Sequence, residues 1–143
     1  FFFFFHTYHG HPIEAAAANA VLERLVVDGL VVDVAQKGEY LKLQLKAKLG
    51  QHPHIGNIRG RGLFIGVEFV ASQDDKTPFD PALNMAGNLK KNAFQSGLLC
   101  YPAQGTIDGR TGDHVLLAPP FIITNDEMDM LVDRLALAVD MTI

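Results

Sequence analysis

The chain reads as an α+β domain with a small antiparallel or mixed sheet and helices on one face. Three observations predict it. Two long helical patterns come first, over residues 11–28 and 31–49. A strict alternation follows, with Leu63, Ile65, Val67 and Phe69 apolar and Phe64, Gly66 and Glu68 between them, the mark of a half-buried strand. The chain then closes on a helix announced by Thr124 with Glu127 three residues on, a capping box. Short strands separated by tight loops and flanked by helices pack as two layers.

Each element has its own signal. Pro12 suits a first helical position, where its missing N–H costs nothing, and Ala15 to Ala18 favour helix. Val21, Leu22, Leu25 and Val26 lie on one side of that helix and predict a buried face. Gly29 stops it. In the second helix Val34, Leu41, Leu45 and Leu49 share a face, Lys42, Lys46 and Lys48 lie mostly off it, and Gly50 ends it. His52-Pro53-His54 is a loop. Residues 58–70 form a strand pair or one bent strand, and 72–78 a polar loop. Asp80 as N-cap with Pro81 behind it predicts a third helix reaching about Phe94, with Gly97 as its stop. Residues 98–101 read as a short strand, 102–113 as a turn-rich loop with Gly105, Gly109 and Gly112, and 114–118 as another strand, ended by Pro119-Pro120. Met128, Leu131, Val132 and Leu135 form the buried stripe of the last helix.

Composition narrows the class. At 143 residues, 48% hydrophobic and 20% charged, the chain has the make-up of an ordinary globular domain. A net charge of −4 speaks against a nucleic-acid partner, which wants a basic face. No apolar run approaches the roughly 20 residues a membrane helix needs. The single cysteine, Cys100, excludes an internal disulfide framework and points to the cytoplasm. It reads as a buried strand residue. Phe1 to Phe5 are unlike a free start and predict a protein that begins earlier.

The N-terminal string Thr7-Tyr8-His9-Gly10-His11-Pro12 carries chemistry. A hydroxyl beside a glycine turn at a helix entrance suits a phosphate, because backbone N–H groups converge there. His6, His9 and His11 have no carboxylate or thiol beside them and are weak metal ligands. Arg59 and Arg61 flank Gly60 and could clamp a carboxylate, since guanidinium meets that group with two parallel hydrogen bonds.

Read together, five segments resemble the class III, pyridoxal-phosphate-dependent aminotransferases. They are Thr7 to Pro12; Ile58-Arg59-Gly60-Arg61-Gly62-Leu63 leading to Gly66-Val67-Glu68; Gly97-Leu98-Leu99; Gly112-Asp113-His114; and Ala118-Pro119-Pro120-Phe121-Ile122-Ile123-Thr124. They come in the family's order and reach from His6 to the end. The resemblance implies the small C-terminal domain of a fold-type-I enzyme over residues 13–143. Residues 1–12 would continue from a missing large domain that binds pyridoxal 5'-phosphate. It implies a cytoplasmic homodimer that moves an amino group from a donor to a keto acid, the cofactor being the electron sink.

The resemblance also assigns residues. Thr7, with Tyr8 beside it, would bind the cofactor phosphate of the partner subunit. The lysine that forms the family's Schiff base lies upstream of the threonine motif, and so does the aspartate on the pyridine nitrogen. This chain alone is therefore expected to be inactive. Relatives acting on ornithine carry an arginine three residues before the first proline, where this chain has Leu116. A leucine cannot hold a carboxylate, which points toward ω-amino acid or amine donors. Arg110 lies close to where such relatives place a mobile arginine, at a different offset. The same fold also runs aminomutases, epimerases and decarboxylases, and a stand-alone interaction module is a further alternative.

Overall fold

The computed structural model describes residues 10–143. Four helices and four strands follow in the order α1 (Pro12–Val27), α2 (Leu30–Leu49), β1 (Ile55–Arg61), β2 (Phe64–Phe69), α3 (Met85–Gln95), β3 (Tyr101–Gln104), β4 (Asp113–Leu117) and α4 (Asn125–Asp140). The strands form one sheet in the order β1-β2-β4-β3, antiparallel throughout. The α+β expectation holds, and the sheet is antiparallel rather than mixed.

Alternation decides which side of the sheet is covered. Ile65, Val67 and Phe69 of β2 and Val115 and Leu117 of β4 are buried, and they meet Leu41, Leu45 and Leu49 of α2, Leu89 of α3 and Met128 and Leu135 of α4. Each such side chain contributes about 1.5–3 kcal/mol by leaving water. The opposite sheet face carries no helix among the described residues. Tyr40 donates to the Asp129 carboxylate at 2.9 Å, and Lys48 pairs with Asp133 at 2.7 Å, linking α2 to α4. The capping box of α4 forms as read: Glu127 N–H donates to Thr124 Oγ1, and the Thr124 N–H donates back to the Glu127 carboxylate at 2.8 Å.

Four expectations are corrected. Asp80 caps only a short 3-10 turn, Pro81–Leu83, and α3 starts at Met85 because Asn84 takes a left-handed conformation that interrupts the winding. Residues 98–100 are not a strand. Leu98 N–H instead bonds back to the Ala93 carbonyl at 2.8 Å, which closes α3, and β3 begins at Tyr101. Cys100 accordingly lies outside the strand and is half-buried. The apolar side of α1 is not covered among the described residues: Val21 and Val26 are exposed and α1 buries nothing.

Candidate functional site

The open sheet face gathers the polar and apolar groups that could meet a small molecule. Strand register places them in rows. Arg59 of β1 is opposite Gly66 of β2, Gly66 is opposite Leu116 of β4, and Leu116 is opposite Tyr101 of β3. In the next row Glu68 is opposite His114, and His114 opposite Ala103. Side chains on one face of an antiparallel pair stand about 4.5–5.5 Å apart at Cβ, so each row is a contact series. Arg59 Nη1 donates to Glu68 Oε2 at 2.8 Å.

Gly66 leaves a notch in this surface. A hollow of about 300 Å³ opens there, lined by Arg59, Phe64, Glu68, Thr106, His114 and Leu116. A wider groove of about 520 Å³ adjoins it and is mainly apolar, with Tyr101, Leu117, Pro119, Pro120 and Ile123 among its walls. Leu116 lines both. Its position follows from β4's alternation, which turns Val115 and Leu117 to the helices and leaves His114 and Leu116 on the other side.

Two neighbouring groups are electrostatically unusual. Asp113 is 1% exposed and neither carboxylate oxygen has a hydrogen-bond partner among the described residues. Burial raises its pKa, opposed by the Ala86 N–H at the head of α3 and by the nearby His114 ring. His114 Nδ1 is likewise buried without a partner. Cys100, in the wall of the wider groove, has its thiol pushed up to about 11 by burial, so it is a poor nucleophile.

The residues singled out in the sequence are spread over the chain. Leu116 is at the centre of the open face. Arg110 sits in the 105–112 hairpin loop, exposed, with its backbone N–H donating to the Asp108 carboxylate at 2.9 Å. Thr7 and Tyr8 lie outside the described residues. Among the described residues no group of three or more histidines, cysteines or carboxylates is arranged for a metal, and no helix is long and apolar enough to cross a membrane. Sequence reading did not pick out Glu68 and His114 as site residues. The available signal was the second register of the β2 alternation, Phe64, Gly66 and Glu68, read only as the complement of the buried one.

The family model for class-III aminotransferases matches residues 5–139. The chain belongs to the class-III aminotransferase family. An uncharacterized aminotransferase of Schizosaccharomyces pombe is 45% identical over 97% of this class-III chain and 30% of its own length. Ornithine aminotransferase 2 of Staphylococcus aureus is 34% identical over 90% of the chain and 27% of its own. Among solved structures, an (S)-enantioselective omega-transaminase from Thermomicrobium roseum superposes with a TM-score of 0.86 at 29% identity, covering 100% of the chain and 30% of that protein. A pyridoxal-phosphate-bound aminotransferase mutant from Vibrio fluvialis superposes with a TM-score of 0.84 at 31% identity, over 99% of the chain and 29% of that protein. The class-III chain thus spans about 30% of the length of the relatives it matches.

Proposed function

We propose that this chain is the C-terminal part of a pyridoxal-phosphate-dependent aminotransferase. The parent would be a cytoplasmic homodimer that transfers an amino group from an ω-amino acid or amine to a keto acid. The observation that carries the donor class is Leu116, an apolar side chain shared by the two hollows of the open face. A carboxylate set against it would lose its water and gain no partner. An alkyl segment would gain contact.

The cofactor supplies the electron sink for the amino transfer. Thr7 and Tyr8 would hold its phosphate, contributed across the dimer. The described residues next to them fit that group. Gly10 turns the chain with φ +82°, and His11 heads α1 without a side-chain cap, so the first-turn N–H groups of Ile13 and Glu14 have no side-chain partner among the described residues. Such N–H groups point outward along the helix axis and favour an anion.

The lysine that would carry the cofactor and move the proton lies elsewhere in the parent. Lys37, Lys42, Lys46, Lys48, Lys76, Lys90 and Lys91 are all unburied here. Lys48 is held more basic than usual by its hydrogen bond to Asp133, the reverse of what a reacting amine needs. In this reading the chain positions substrate and phosphate and does not transfer the proton. Titration with pyridoxal phosphate, borohydride trapping and peptide mass analysis test this. No site-specific lysine adduct is expected on the chain alone. A stoichiometric adduct on one lysine would refute the assignment. In the parent, Thr7→Val is expected to weaken cofactor retention on dialysis, and unchanged retention would remove Thr7 from the phosphate site.

A further inference from the structure

We infer that His52 and His54 form a proton-operated latch between the α2–β1 corner and the loop that leaves β2. It is closed while the His52 ring is neutral and opens when that ring takes a second proton. The hydrogen bonds fix which ring nitrogen carries a proton. His54 N–H donates to His52 Nδ1 at 3.2 Å, so His52 Nδ1 is bare and its one proton is on Nε2. His54 Nδ1 lies 3.1 Å from the Val70 carbonyl, which only accepts, so that nitrogen carries the His54 proton. The two rings hold opposite tautomers, with centroids 5.7 Å apart.

His54 fastens Val70 twice. Its ring donates to the Val70 carbonyl, and its own carbonyl accepts the Val70 N–H at 2.9 Å. Phe79 packs on the His54 ring with centroids 5.3 Å apart and is buried. Val70 leads into the 71–78 loop, which is tied back to the start of β1. Gln73 Nε2 donates to the Ile55 carbonyl at 3.0 Å, and Lys76 Nζ to the Gly56 carbonyl at 2.7 Å. A proton on His52 Nδ1 turns an acceptor into a donor facing the His54 N–H, and that contact must part. Asp140 at the end of α4 then gives the ring a partner. Its Oδ1 lies 3.9 Å from His52 Nε2, too far for a hydrogen bond and within a small swing of one. The titratable groups acting on the His52 ring are His54 in the same loop and Asp140 on α4. Lys48 of α2 lies in the field of Asp140 and is itself bonded to Asp133. Burial pushes the His52 pKa down from the ordinary 6.5, with His54 adding to the shift and Asp140 opposing it. The latch is therefore closed above the ordinary histidine range and is lost as pH falls through the lower folded value.

The test is hydrogen–deuterium exchange on the full-length parent between about pH 5 and 8, where histidine titrates. Each peptide's rate is divided by that of the unstructured peptide at the same pH. No substrate is needed, so the outcome is independent of the transaminase reading. Protection over residues 69–78 is expected to fall about tenfold as pH drops through that interval, the effect of one lost hydrogen bond. A peptide from the middle of α4, residues 128–136, should keep its protection. His52→Asn offers an amide oxygen where Nδ1 stood and does not titrate, so its loop should stay protected throughout. His52→Ala has no acceptor and should be loose at every pH, with a thermal melt of each variant as the check on folding. Asp140→Asn should move the midpoint to lower pH. A flat wild-type profile overturns the inference. So does a His52→Asn loop that loosens in acid as the wild type does, or an α4 peptide that loosens in step with the loop. An unmoved midpoint in Asp140→Asn overturns the open state assigned to the ring.

Discussion

Gly38 of α2 lies against Gly62 of the β1–β2 turn, backbone to backbone. A Cβ on Gly38 would overlap the Gly62 carbonyl and come within 2.6 Å of its Cα. Gly62 itself has φ +55°, and a Cβ there would sit 2.7 Å from Val34 Cγ1. The pair sets how closely the helix layer approaches the turn that orders β1 and β2.

Gly38→Ala is expected to destabilise the chain despite the better helix propensity of alanine. The obstruction is backbone and cannot swing aside, so a net loss of about 2 kcal/mol is expected in urea melts. Gly66→Ala is the control, because its added Cβ would find Leu116 Cδ2 at 3.7 Å, an ordinary contact. Equal losses at the two positions would contradict the packing described.

Thr124→Ala removes the side-chain acceptor at the head of α4 and should cost about 1 kcal/mol. Glu127 holds its proton less tightly than usual, first through the Thr124 backbone N–H and then the Thr124 hydroxyl. Its folded pKa is lowered, so its contribution is present above the ordinary glutamate range. It is lost as pH falls through the lower folded value. The acid limb of a stability–pH curve should shrink in Glu127→Gln. An unchanged acid limb would exclude that contribution.

Asp113 has the opposite sign. Its folded pKa is raised by burial. Stability should therefore decline as pH rises from the ordinary value of 3.8 toward the raised folded value, then level off. Asp113→Asn should flatten that interval when urea midpoints are measured at successive pH values. A wild-type curve with no decline there would show that the carboxylate gains a partner in solution.

Cys100 should react slowly with thiol reagents. With the thiol pushed up to about 11, the thiolate fraction at pH 8 is on the order of one in a thousand. Alkylation followed by intact mass should show the native chain modified much more slowly than the urea-unfolded chain. Comparable rates would mean that the groove opens readily.

The layers were legible where the pattern is local. Leu63 to Phe69 announce β2 by alternation, and Thr124 with Glu127 announce the start of α4 by a three-residue spacing. Errors arose where the deciding contact is distant or conformational. Nothing in Asp80-Pro81 shows that Asn84 will turn left-handed and delay α3. The apolar run at 98–100 resembles a strand, yet pairing with β4 starts at Tyr101 opposite Leu116. The site was legible at Leu116 and not at its surroundings. Arg59, Glu68 and His114 are brought onto one face by strand order, and that order places β4 between β2 and β3.

The two outer strands of the sheet limit how this chain can associate. β1 carries a register irregularity between Ile55 and Asn57, and β3 holds Pro102, which has no N–H to offer. Both rims are poor templates for lateral growth by another extended segment. Joining through the sheet is thereby directed to the broad side left open among the described residues, and ribbon-like stacking through the rims is disfavoured.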